Sequence, residues 1–171
     1  MTTRPSSPSH SSYFPEEGAY ADELTAERRA HLTEIGVPDE LHEMLKHWGV
    51  GPLAVKMGIR FTEFAPERLV ATMPVEGNQQ VTGLIHGGAH VVLAETLGSF
   101  GAALHAWPTG TAVGVDINAT HHRGAREGLV TGTATAIHLG RRMVTHEIVM
   151  TDEQGRRLST ARITNAIIPL P

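Results

Sequence analysis

The chain has 171 residues, 40% of them hydrophobic and 19% charged, which suits one domain with a full core. A formal net charge of −4 gives no broad basic field, so bulk attraction to nucleic acid or to an anionic membrane is not the basis of function. The absence of cysteine removes disulfides, thiolate metal sites and a cysteine nucleophile together.

Residues 1–18 are rich in Ser and Pro and too poor in apolar groups to offset the entropy of ordering, so they read as a disordered tail. No signal-peptide run opens the chain and no later stretch is apolar for long enough to span a bilayer, which leads to the expectation of a cytoplasmic protein with no membrane partner. From Tyr20 the pattern turns helical, with Leu24, Arg28, His31, Leu32 and Ile35 in a segment that Gly36 and Pro38 terminate. A second short helix is expected from Asp39 to Trp48, so that residues 19–50 form a helical extension before a domain over 51–171.

Beyond Gly51-Pro52 the signature changes. Gly58 to Phe64 and Leu69 to Val75 read as strands joined through Ala65-Pro66-Glu67, a hairpin. Gly83 to Gly88 is a glycine-rich entry into a long helical run, Ala89 to Ala106. Four strand candidates follow: Thr111 to His121, Leu129 to Leu139, Met143 to Thr151 and Leu158 to Ile168, the last two joined by the turn Asp152-Glu153-Gln154-Gly155. The connections are short enough for an antiparallel meander after the helix. The order predicts an α+β fold in which a curved antiparallel sheet wraps around one long central helix.

Ala89, Ala94, Gly98, Ser99, Gly101, Ala102 and Ala103 put small side chains on all sides of that helix, which predicts that it is enclosed. Glu95 is the acidic residue within it, and burying a carboxylate there costs several kcal/mol (about 2–7 by transfer scales for polar groups, more for a charge) unless it is paired, hydrogen-bonded or protonated. His86-Gly87-Gly88 brings the chain into the helix with little side-chain bulk. That leaves unpaired amides at the positive end of the dipole, where a carbonyl oxygen developing negative charge is stabilised. A glycine pair before a helix is a weak signal alone; the downstream carboxylate gives it force.

The segment from Gln80 to Ser99 resembles the active-site segment of the hotdog thioesterases of the PaaI and 4-hydroxybenzoyl-CoA (Arthrobacter-type) group. Gly114 to Gly128 and His138-Leu139-Gly140-Arg141-Arg142 are similar to the two loop regions that hold CoA in the bacterial branch that includes 1,4-dihydroxy-2-naphthoyl-CoA and enterobactin-proofreading thioesterases. The resemblance runs from about Gly51 to Ile168. It implies that Glu95 is the nucleophile or general base, that the Gly87 amide, with Gly88, polarises the thioester carbonyl, and that Gln80 and His86 orient the acyl group. Ser99, one turn beyond Glu95, positions water or serves packing only. The resemblance further implies that His121 lies at the acyl site, whereas His122 faces the other side of its strand. Gly114, Arg123, Arg126, His138, Leu139, Gly140, Arg141 and Arg142 fall in the CoA-holding regions, where guanidinium groups suit phosphates.

Val91, Leu93 and Phe100 are expected to line an acyl pocket, and an aromatic acyl group is preferred. The resemblance implies no cofactor beyond the CoA of substrate and product, and a homodimer with shared sites that pairs again into a homotetramer. His86 and His90 have helical metal-ligand spacing, but Gly87-Gly88-Ala89 between them lacks the Glu of the helical zinc motif, and no metal is expected. Two other readings are a noncatalytic acyl-CoA-binding module and a hotdog enoyl-CoA hydratase, for which Glu95 stands in place of the usual Asp-His pairing.

Overall fold

A computed structural model describes residues 23–46 and 49–170. The expected tail over 1–18 lies outside the described residues. The elements in chain order are α1 (Ala26–Glu34), a 3-10 turn (Asp39–Leu41), α2 (Pro52–Lys56), β1 (Arg60–Ala65), β2 (Arg68–Pro74), α3 (Gly87–Ala106), β3 (Gly110–His121), β4 (Leu129–Leu139), β5 (Met143–Thr151) and β6 (Arg157–Pro169).

The strands form one six-stranded antiparallel sheet in the order β1-β2-β4-β5-β6-β3, with α3 packed on it. This is the hotdog arrangement. The meander holds for β4, β5 and β6, but β3 pairs with β6 at the far edge and not with β4. A physical reason lies in the helix. Twenty residues of α-helix reach about 30 Å, and four strand spacings take about 19 Å. α3 therefore carries the chain from β2 past β4, β5 and β6 before β3 begins.

Close docking of α3 explains its glycines, each of which costs roughly 0.5–1 kcal/mol relative to Ala in a helix. A Cβ on Gly98 would overlap the Ile163 side chain, and one on Gly101 would sit 2.6 Å from His146 Nε2. Leu93 and Leu97 are fully buried against Gly132 of β4. Replacing either leucine with Ala is expected to cost about 2–5 kcal/mol.

The helix is not fully enclosed. Val91, Val92, Glu95, Thr96, Ser99 and Phe100 remain part-exposed. β3 is the sheet's last strand, so its outer edge has no strand beside it. The expected helix from Asp39 to Trp48 is also replaced by the 3-10 turn and further turns through Lys46, with 47–48 outside the described residues. Its amides bond alternately three and four residues back, and the buried His42 ring turns to the Val37 carbonyl (3.0 Å), so no continuous ladder forms. Leu32, Ile35, Val37 and Leu45 from this region share one core with the sheet, and the Phe61 amide donates to the Ile35 carbonyl (2.7 Å). Among the described residues no helix is long and apolar enough to cross a membrane.

Candidate active site

The site begins at the entry to α3. His86 has extended backbone angles, and its Nδ1 accepts a hydrogen bond from the Gly88 amide at 2.8 Å, capping the helix. Two consequences follow. The neutral His86 ring carries its proton on Nε2, a donor facing outward. The Gly88 amide is occupied by the cap and the Ala89 amide by the His86 carbonyl (2.9 Å), which leaves Gly87 with an N–H at this terminus that has no acceptor among the described residues. Of the two amides expected to polarise a carbonyl, Gly88 is therefore already engaged.

His121, at the end of β3, closes over this turn. A Cβ on residue 87 would lie 2.7 Å from His121 Nε2, so glycine is required there for the ring to approach. The Ser159 hydroxyl donates to the Thr120 carbonyl (3.0 Å), so its oxygen accepts from His121 Nδ1–H at 3.0 Å. That network assigns the proton to Nδ1 and leaves Nε2 of the neutral ring as an acceptor at the Gly87 turn. His122 faces the other way, with its Nε2 3.0 Å from Thr160 Oγ1.

His90, one turn after His86, is buried, with its ring centroid 5.5 Å from that of His121. Burial, and then the proximity of His121, lower its pKa from 6.5 to about 4.

Glu95 lies further along α3. Ser99 Oγ stands 3.2 Å from Glu95 Oε1 and 3.3 Å from Asn165 Oδ1, so one hydroxyl proton serves two acceptors. Asn165 is fully buried, and its amide donates to the Gly98 carbonyl (3.4 Å). Gly114 of β3 abuts the carboxylate: a Cβ there would sit 2.6 Å from Glu95 Oε1. Gly114 thus makes room for Glu95, a placement more specific than the CoA-holding region in which the sequence put it.

Two polar residues at this site went unnoticed in the sequence, Ser159 and Asn165. Both share the inward face of β6 with Ala161 and Ile163, so period-two alternation was the available signal.

The remaining candidates are more dispersed. Gln80 sits in the loop before α3, where its amide donates to the Leu84 carbonyl (2.8 Å). Arg126 Nη1 donates to the Thr82 carbonyl (3.0 Å) and so ties the 122–128 loop to that same loop; Arg123 is exposed nearby. His138 and Leu139 end β4, and Gly140, Arg141 and Arg142 turn the chain into β5, at the opposite end of α3. There His105 Nε2 donates to the Gly140 carbonyl (3.2 Å) and the Ile167 amide to the Arg142 carbonyl (2.9 Å). Of the expected pocket residues, Leu93 belongs to the core, and Phe100 packs with Phe61 and Phe64 at centroid distances of 5.5 Å. The larger surface depression lies on the outer sheet face by His122 and Arg162, and a second beside Arg141; neither is lined by Glu95.

Comparison with known proteins shows the family and the fold. Residues 82–159 match the family described as the thioesterase superfamily. The chain is 43% identical over 127 residues to the proofreading thioesterase EntH of Cronobacter turicensis, covering 74% of this chain and 93% of that protein. It is 42% identical over 127 residues, with the same coverage, to the 1,4-dihydroxy-2-naphthoyl-CoA hydrolase of Escherichia coli K12. Among solved structures, a thioesterase of Pseudomonas aeruginosa superposes with a TM-score of 0.65 at 43% identity, covering 69% of this chain and 86% of that one. The chain belongs to the thioesterase superfamily, with the hotdog fold, and is a thioester hydrolase.

Proposed function

We propose that this thioesterase hydrolyses acyl-CoA substrates with aromatic acyl groups, in the cytoplasm, as a homodimer in which each site draws on both protomers. The observation that carries the reading is a separation. Gly87 and Glu95 are eight residues apart on one helix, about 12 Å along its axis. A single thioester carbonyl cannot meet the free amide and the carboxylate of the same protomer. Both contacts become available when the open edge of β3 pairs with its own copy about a two-fold axis. Antiparallel pairing then sets the His121 end of one strand beside the Gly110 end of the other.

The same operation supports a role for the distant arginines. Gly110 lies by Ala106 at the end of α3, near the 138–142 loop. The second protomer's Arg141 and Arg142 would then approach the first protomer's Gly87 turn, where phosphates of CoA fit their guanidinium groups. Pairing of dimers into a tetramer completes the assembly.

In this reading the Gly87 amide and the helix dipole stabilise the oxyanion, with His86 Nε2–H and Gln80 as further donors around the acyl group. Glu95 acts in one of two ways. Its carboxylate attacks the carbonyl carbon, the C–S bond breaks, CoA leaves as thiolate and takes up a proton, and water cleaves the mixed anhydride. Alternatively, Glu95 takes a proton from the water that attacks the carbon directly. The aromatic and CoA assignments draw support from the name of the 42% identical naphthoyl-CoA hydrolase.

The test is CoA release from a panel of aryl- and alkyl-CoA thioesters, together with mixing of two inactive variants, Glu95→Gln and Gly87→Pro. Faster turnover of aryl substrates, and activity regained on mixing through sites that hold neither substitution, are the expected results. Mixing that restores nothing between well-folded dimers would overturn the shared site.

A further inference from the structure

His90 is used by none of the steps above, yet it is among the most buried polar side chains of the protein, 2% exposed. Its Nδ1 has no hydrogen-bond partner among the described residues. What the His90 ring meets is the ring of His121, at 5.5 Å between centroids with a 30° tilt.

We propose that His90 is a positioning residue that holds the His121 imidazole against the N-terminal turn of α3, so that the acyl site is built on a pair of imidazoles and not on His121 alone. The proposal rests on the reading of this turn and His121 as the acyl site. The physical case is one of degrees of freedom. A ring tethered only through Nδ1, here to Ser159, can still swing about that hydrogen bond. A flat surface along its face stops the swing, and the missing side chain at Gly87 leaves room for Nε2 on the remaining side. Hydrogen bond, face contact and vacant Cβ position together leave the ring one orientation.

An imidazole suits this place only while uncharged, because a cation there would oppose both the positive end of the α3 dipole and any proton on His121. The groups around His90 agree with that. His121 faces it from β3, β6 contributes the Ser159 hydroxyl to the pair, and His86 on the same helix turns its Nδ1 to the Gly88 amide. Burial, and then His121, hold the His90 pKa at about 4, so the surface it presents is neutral across the working range of pH.

The experiment uses the full chain and two variants, His90→Ala, which removes the ring, and His90→Phe, which keeps a flat ring without nitrogen. The readouts are kcat and KM for an aryl-CoA thioester and the NMR signal of the His121 Nδ1–H donated to Ser159. His90→Ala is expected to lower kcat about tenfold with KM changed by less than about twofold, and to lose the protected Nδ1–H signal. His90→Phe is expected to keep both near wild type, because the flat ring and not its nitrogens restrains His121; the Nδ1–H signal and the split between kcat and KM are what separate positioning from packing alone. A folded His90→Ala with the Nδ1–H signal and kcat intact would overturn the proposal, as would a folded His90→Phe as impaired as His90→Ala. A further sign of contact is that His121→Asn raises the His90 titration midpoint above about 4; an unchanged midpoint counts against it. Because the proton signal is read without substrate, failure of the wild type to cleave any thioester would sink the functional reading and still leave the position of His121 to be decided.

Discussion

At the start of α3, Ser159 of β6 holds an imidazole; further along, Asn165 of the same strand meets the serine beside a carboxylate. The two ends of this face share a construction, one inward polar residue of β6 supporting one reactive group, but their electrostatics differ. The first end offers a free amide, a dipole and imidazoles that can donate a hydrogen bond, all suited to a carbonyl oxygen gaining negative charge. The second offers a half-exposed carboxylate suited to attack. On the proposed function, stabilisation and attack stand about 12 Å apart along one helix, and pairing about a two-fold axis would reunite them.

The largest effect should come from the carboxylate end. Glu95→Gln keeps the size and the Ser99 contact but removes the proposed nucleophile or base, so kcat is expected to fall by about three to four orders of magnitude with Tm nearly unchanged. Single-turnover CoA release on the folded variant checks this. Residual activity within tenfold of wild type would place attack elsewhere and dissolve the contrast between the two ends.

Acid should act on the other end. His90 has its pKa lowered from 6.5 to about 4, so between those values the unfolded chain takes up a proton that the folded chain refuses. Stability contributed by the neutral ring is fully present above pH 6.5 and is lost as pH falls through about 4, by about 3 kcal/mol at most. His146, buried beneath α3, shifts the same way through burial first and His105 last, with its bond to the Pro66 carbonyl opposing. Urea unfolding at pH 7 and pH 4 should therefore show a smaller acid loss in His90→Phe than in wild type, with His146 contributing part of what remains. Equal losses in both proteins would mean that His90 is not shielded from its proton.

Gly114→Ala probes how tightly the carboxylate end is built. The new Cβ would stand 2.6 Å from Glu95 Oε1, the movable end of a side chain, so the carboxylate should yield before the backbone does. A kcat reduction of about 10- to 100-fold with little change in KM or Tm is expected, the size associated with a displaced catalytic group. A fall in Tm without loss of kcat would show that β3 moved instead.

How much of this was legible in sequence depends on what each residue had to stand out against. Glu95 and His86-Gly87-Gly88 were visible because chemistry-bearing residues are conspicuous in a helix made of small ones, and the strands were visible through their Val, Ile and Thr. Ser159 and Asn165 were not, since in a strand already rich in Thr a polar residue reads as surface until its register is known. The place of β3 was hidden for a related reason: alternation shows that a segment is a strand but not which strand it pairs with, and only the reach of α3 decides that. Leu93 was read as pocket lining because periodicity could not say which flank of an apolar helix meets the sheet.

The smallest and most discriminating effect concerns Ser99, where sequence left water positioning and plain packing open. Its hydroxyl oxygen, with one proton to give, stands nearly equidistant from Glu95 Oε1 and Asn165 Oδ1, 3.2 and 3.3 Å. If the proton steadies Glu95, Ser99→Ala should lower kcat about three- to tenfold. Asn165 would then act largely through Ser99, so the double substitution Ser99→Ala with Asn165→Ala should cost little more than the worse single one. If packing is all that Ser99 does, kcat should stay within about twofold and the two stability losses should add. Coupling in kcat would make the carboxylate end a relay from β6, matching the Ser159–His121 pair at the other end. Additivity would leave that end with a carboxylate held by shape alone.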